Sequence, residues 1–278
     1  MSAHAYFAGD WLALREPLDH ASRDASLTTR AARALDTGPV AEKTIVDLGC
    51  GSGSNLRYLA PRLPGPQRWH LLDHDRTLLD AASAGNCRDR DGRRPAIETH
   101  ETNLADTAWH RLLDDADLVT ASALFDLVTA DWVDSLADAC AQRRLPALFV
   151  LSVDGAIDLQ PSDPEDPRVL ARLQAHQARD KSFGAALGTD APRVVRQAFS
   201  RAGYAVHAAD AVWVIDNAAQ AAVATALVTG WRDAAIEQSP SEGDHISQWA
   251  ERRCRQLRAG ELRITVGHQD LFAMPRTR

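Results

Sequence analysis

An apolar, β-branched run, Thr44-Ile45-Val46, feeds into Asp47-Leu48-Gly49-Cys50-Gly51-Ser52-Gly53-Ser54-Asn55, after which Leu56, Tyr58, Leu59 and Leu63 fall at helical spacing. This succession predicts a strand, a sharp turn and a helix. Three glycines at alternate positions let the backbone reverse tightly and approach a ligand closely, because no Cβ intrudes. A helix that starts there turns unpaired N–H groups toward whatever lies in the turn. Asp47 adds a carboxylate, which suits a cationic, amine-bearing ligand better than a pyrophosphate.

The same rhythm of strand and helix continues. Strands are expected at Lys43–Leu48, Arg68–Leu72, Ala96–Thr102, Asp117–Ala121 and Ala147–Val153. The last of these is an unbroken apolar run, as a parallel strand buried on both faces requires. Leu78, Leu79 and Ala82 mark one intervening helix, and Trp132, Val133, Leu136 and Ala139 mark another over Asp131–Arg144. Residues 1–39 read as a helical lead-in ended by Asp36-Thr37-Gly38-Pro39. Beyond the fifth strand, the Pro- and Asp-rich stretch 154–166 reads as a loop and Pro167–Lys181 as a helix. A further helix, capped by Thr189 or Asp190, runs to about Arg201. Two strand-like halves follow in Tyr204–Ile215, then helices over Asn217–Gln238 and Ser241–Leu257, then a closing β segment over Glu261–Met274. The expected architecture is α/β and doubly wound, a mostly parallel sheet with helices on both faces. Residues 40–278 form its domain, with a helical cap inserted over about 155–188.

Ligands of such sheets sit outside the carboxyl ends of the strands. The residues there are polar: Gly49–Asn55, Asp73–Asp75, Asn103, Ser122 and Asp154. Asp73, ending the second strand, can accept hydrogen bonds from both hydroxyls of a ribose, which suits NAD as well as other nucleosides. A dinucleotide turn, however, has the spacing G-x-G-x-x-G, and Ser54 stands where its third glycine belongs.

The Asp47–Gly53 pattern resembles the first motif of the class I S-adenosylmethionine-dependent methyltransferases. Asp117-Leu118-Val119-Thr120-Ala121-Ser122 resembles their fourth motif. The resemblance implies a seven-stranded sheet whose last strand inserts antiparallel, S-adenosyl-L-methionine as cofactor, and in-line transfer of a methyl group. It implies a cofactor site of Asp47, Gly49, Gly51, Ser52, Gly53, Asn55, Asp73 and His74, with Asn103 and Leu104 at the adenine edge and Ala121 and Ser122 beside the methionine part. Asn103 stands where the family more often has Asp. From the lead-in, Arg15 or Arg23 can pair with the cofactor carboxylate. An NAD-dependent oxidoreductase, or a cofactor-binding module without catalysis, is the alternative.

Methyl transfer to oxygen or nitrogen is served by a general base when the acceptor must lose a proton. His176 and Asp180 lie four apart, on one helical face, where a carboxylate can orient an imidazole. They are the expected catalytic pair, with Asp126, Lys181 and Phe183 toward the substrate. The formal net charge of −7 argues against a nucleic-acid partner. No apolar run has the length of a membrane span, and the lead-in lacks a basic segment followed by an apolar one, so no signal peptide is expected. The four cysteines, Cys50, Cys87, Cys140 and Cys254, lack metal-ligand spacing and read as free thiols. The sequence thus predicts a cytoplasmic enzyme acting on a small polar metabolite, with no metal, and leaves a homodimer open.

Overall fold

The computed structural model describes residues 9–36, 41–177 and 185–276. Two helices, α1 (Gly9–Ser22) and α2 (Ala25–Leu35), lead into β1 (Lys43–Leu48), α3 (Ser54–Leu59), β2 (Gln67–Asp73), α4 (Arg76–Ala84), β3 (Ala96–Glu101), β4 (Leu118–Ser122), α5 (Ala130–Arg143) and β5 (Ala147–Gln160). The second half continues as α6 (Asp166–Gln177), α7 (Ala191–Arg201), β6 (Tyr204–Asp210), β7 (Trp213–Ile215), α8 (Ala221–Gln238), α9 (Gly243–Ala259) and β8 (Arg263–Pro275). The sheet runs β3-β2-β1-β4-β5-β8-β6, with β7 pairing off this path onto β8. Strands β1 to β5 are parallel, and β8 inserts antiparallel between β5 and β6. The sequence-expected sheet is thus present, with a short eighth strand added.

Alternation along the strands distributes side chains to the two faces. Val46, Leu48, Val119 and Ala121 pack with Val133 and Leu136 of α5 and Val195 and Phe199 of α7. Ile45, Trp69, Leu71 and Leu118 pack on the other face with Leu27 and Ala31 of α2, Leu56 and Leu59 of α3, and Leu79 of α4. Both faces are covered, which explains why the inner half of β5 reads as an unbroken hydrophobic run.

A third core lies beyond the sheet. Leu159 of β5, Val169 and Leu173 of α6, Trp213 of β7, Val223, Val228 and Trp231 of α8, Ile246 and Trp249 of α9, and Ile264 of β8 form it. Here the structure corrects the expected loop over 154–166. Strand β5 continues to Gln160 because the first half of β8 pairs with it, Ile157 against Val266 and Leu159 against Ile264. In this stretch Leu159 is buried while Asp158 and Gln160 are exposed, the period-two pattern of a half-covered strand. The change of register within β5 is held by Asp270 of β8. Its buried carboxylate accepts the amide of Leu151 at 2.8 Å and that of Asp24, before α2, at 2.9 Å. A second correction concerns α7. Asp190 makes no side-chain cap, because a 3-10 turn over Gly188–Asp190 precedes the helix; its carboxylate pairs with Arg193 instead.

Candidate functional site

The glycine turn follows β1 as expected, and Gly49, Gly51 and Gly53 have φ of +61°, +53° and +84°. These are left-handed conformations that side chains disfavour. The third glycine also answers a packing need: a Cβ on Gly53 would stand 3.0 Å from the Cβ of Ala82 on α4. A Cβ on Gly49 would meet Leu124 at 3.0 Å, and one on Gly51 would meet Leu12 of α1 at 3.3 Å. The turn is therefore bracketed by α1 and by the chain after β4. Helix α3 beyond it is short, only Ser54–Leu59.

Asp73 closes β2 beside the turn and is buried. One carboxylate oxygen accepts the amide of Gly51 at 2.8 Å and the other that of Asp75 at 3.0 Å. Each oxygen retains acceptor capacity, as two ribose hydroxyls would need. His74 beside it is exposed, its Nδ1 3.3 Å from Asp73. Asn103 is exposed and accepts the amide of Ala105 with its side-chain oxygen. Leu104 is buried, and its carbonyl accepts the indole N–H groups of Trp109 and Trp132. Ala121 is buried and Ser122 half-buried at the end of β4; Asp126, half-buried, lies in the 3-10 turn just beyond.

A buried polar network lies under the turn. Asn55 is directed inward, so it supports the site from beneath: its amide nitrogen donates to Asp47 at 2.8 Å and to Thr120 at 3.0 Å, while its oxygen accepts Arg23 at 2.8 Å. The Arg23 guanidinium also stacks on Tyr58, 3.9 Å from the ring centroid. Within this network the second oxygen of Asp47 and the Nε and Nη2 of Arg23 have no protein partner, although all are buried. Burial pushes the Asp47 carboxyl up to about 7, against the hydrogen bond of Asn55 and the charge of Arg23. Of the two arginines expected near a carboxylate, Arg23 occupies this network. Arg15 is turned to Asp19, 3.2 Å away, and the need to neutralise that buried carboxylate accounts for its position.

The lead-in is tied to the turn by residues that sequence reasoning did not single out. Glu16 of α1 accepts both the Nε and the Nη2 of Arg57, the first at 2.7 Å, and Arg57 Nη1 donates to the carbonyl of Ser52 at 2.6 Å. Nε2 of His20 lies 3.1 Å from both the carbonyl and the hydroxyl of Ser54. Such contacts join residues more than thirty positions apart, and no local pattern announces them. Asp180, Lys181 and Phe183 lie outside the described residues, and with them the expected pairing of His176 with Asp180. Among the described residues, Nε2 of His176 lies 3.4 Å from Oε2 of Glu237 on α8.

Residues 46–143 match the family described as "Methyltransferase domain". No curated protein matches the chain. Among solved structures, the cyclopropane synthase MmaA2 from Mycobacterium tuberculosis is similar with a TM-score of 0.49 and 12% identity, over 96% of this chain and 94% of that one. Phosphoethanolamine N-methyltransferase 2 from Haemonchus contortus gives 0.48 and 11%, over 99% and 59%. Geranyl diphosphate C-methyltransferase from Streptomyces coelicolor gives 0.42 and 14%, over 91% and 77%. At such identities the substrates of these enzymes say nothing of this chain's.

Proposed function

We propose that this chain, whose residues 46–143 match a methyltransferase domain, is a class I S-adenosylmethionine-dependent methyltransferase that transfers a methyl group to an oxygen or nitrogen of a small polar metabolite. One observation carries the cofactor reading. A buried carboxylate oxygen on Asp47 and two buried guanidinium nitrogens on Arg23 lack protein partners beneath a glycine turn. This donor set fits a zwitterion, with an ammonium for Asp47 and a carboxylate for Arg23. The methionine part of S-adenosylmethionine has both. A pyrophosphate would meet the Asp47 carboxylate with like charge, so the dinucleotide alternative fits less well. Asp73 would take the ribose, Asn103 and the main chain at Leu104 the adenine edge, and Ala121 and Ser122 would lie beside the sulfur.

The bound cofactor supplies an activated methyl on a sulfonium. What the protein adds is placement, worth about 7–11 kcal/mol when the reacting atoms are well oriented. A polar substrate is supported by charged and imidazole groups near α1 and β8. Asp19 and Arg23 are buried, and His268 is held near 4, hence neutral at pH 7, mainly by burial. His176 is our candidate general base, with Glu237 as the carboxylate that orients it. Asp180, Lys181, Phe183 and Asp126 remain proposed around the acceptor. Four free thiols support a reducing, cytoplasmic setting, and among the described residues no helix is long and apolar enough to cross a membrane. The acidic net charge supports partners other than nucleic acid.

Titration calorimetry against S-adenosylhomocysteine and NAD tests the cofactor reading. The nucleoside should bind and NAD should not; the reverse result overturns it. Asp73→Ala and Arg23→Gln should each weaken binding by at least about tenfold, the loss of one charge-assisted contact. A turnover screen of small amines and hydroxy acids, read as S-adenosylhomocysteine release, tests the substrate class, and turnover confined to long-chain lipids would refute it. In an active preparation His176→Ala should lower kcat by about a hundredfold or more with KM little changed. An unchanged kcat removes it as base.

A further inference from the structure

On the sheet edge farthest from β8, strands β2 and β3 gather two histidines and a carboxylate. In their parallel register His70 stands opposite Glu98, and Leu72 opposite His100. Nδ1 of His70 lies 2.9 Å from Nε2 of His100 and 3.7 Å from an oxygen of Glu98. All three ligand atoms fall within 4.8 Å of one another. His70 and His100 are half-buried and Glu98 is exposed, so the cluster opens to solvent on one side.

We propose that His70, His100 and Glu98 form a binding site for a borderline divalent transition ion of the zinc class, which pins the edge strand β3 to β2. Two neutral imidazoles and one carboxylate are the N/O donor set such ions prefer, and three protein ligands leave a coordination position for water. A tetrahedral ion with bonds of about 2.0–2.1 Å to nitrogen holds two ligand nitrogens about 3.3 Å apart. The His70–His100 and His70–Glu98 separations of 2.9 and 3.7 Å lie on either side of that value, and the third pair of ligand atoms is within 4.8 Å, so the three side chains converge on one ion-sized position. The His70–His100 hydrogen bond requires one ring to present its proton to the other. Coordination by both nitrogens moves that proton to the donor ring's second nitrogen.

Outer contacts already hold the ligands. Arg68 bonds the far oxygen of Glu98 at 2.5 Å and is itself shared with Glu42 at 2.9 Å, leaving the near oxygen of Glu98 directed at His70. Such second partners fix the orientation of a ligating carboxylate. The cations facing the cluster are Arg68, balanced in this way, and Arg111, which lies near His100. Strand β3 needs the support, since none of its residues is fully buried. It also leads into Asn103 and Leu104, so an ion there would steady the chain that borders the candidate adenine edge. The site does not depend on the proposed methyl transfer, and its test is a binding measurement.

Full-length protein without an affinity tag, freed of metal by chelator and dialysed, is titrated with zinc chloride and with cobalt chloride. One equivalent should bind, and cobalt should give visible bands without thiolate charge-transfer absorption. His70→Asn and His100→Asn should each weaken zinc binding by more than about tenfold, with Glu98→Gln weakening it less. Amides of β3 should exchange more slowly with zinc present. Glu98→Gln and His100→Asn alter half-buried or exposed positions on the edge strand, and their metal-free melting curves should match the wild type. Absence of saturable binding at micromolar zinc overturns the proposal. So does unchanged affinity in both histidine variants, or a thiolate band that assigns the ion to cysteine.

Discussion

Asp47 shows how one side chain can be read at two levels. Its position before the first glycine is legible in the sequence, and its chemistry depends on Arg23 and Asn55, which only the fold brings near. Because its carboxyl is pushed up to about 7, it binds a proton more readily in the folded than in the unfolded chain. Whatever stability this confers is complete below about pH 4 and is lost as pH climbs toward 7. The spread amounts to at most about 4 kcal/mol, at 1.36 kcal/mol per unit. Asp47→Asn should flatten denaturant-derived stability between pH 4 and 7, and an unchanged slope would assign the dependence elsewhere. The same titration should appear in ligand binding. Affinity for S-adenosylhomocysteine should rise with pH through about 7 in the wild type and lose that rise in Asp47→Asn, if the ammonium pairs with this carboxylate.

Among elements, α1 and β5 mark where sequence patterning succeeds and where it stops. Strands β1, β2 and β4 are legible because their buried residues, Ile45, Val46 and Leu48, Trp69, Leu71 and Leu72, and Leu118 and Val119, cluster into short apolar runs, whereas β3 is placed by its position in the alternation of strand and helix. The glycine turn was legible because positive φ at successive glycines has few alternatives. The outer half of β5 was harder: Ile157 and Leu159 alternate with Asp158 and Gln160, yet the flanking Asp154 and Pro161 carry a loop signature. What tips the balance is β8, more than a hundred residues later, whose pairing no local window contains. Likewise α1 was expected as a helix, whereas its fastening to the turn through Glu16 and Arg57 spans 41 positions. Glu16→Ala should free that fastening. A half-buried, two-pronged ion pair is worth about 1 kcal/mol, which would raise local opening of α1 about fivefold. Hydrogen exchange should quicken in α1 and stay unchanged in β1; equal quickening in both would point to global destabilisation.

At the level of the whole molecule, the third core and the main sheet share two strands. Strands β5 and β8 run from one into the other, their inner halves in the main sheet and their outer halves in the third core. Neither unit can lose these strands without disrupting the other, so calorimetry should give a single unfolding transition with calorimetric and van't Hoff enthalpies in agreement. Two resolved transitions would show that the third core melts alone. The glycine turn after β1 also encloses Cys50, only 7% exposed, whose thiol is driven upward by burial and by the charges of Asp47 and Asp73. It should resist iodoacetamide at neutral pH while Cys254, half-buried in α9, is alkylated first. The lag before Cys50 reacts then serves as an internal stopwatch, timing how often helix and turn part company, and a saturating nucleoside ought to lengthen it.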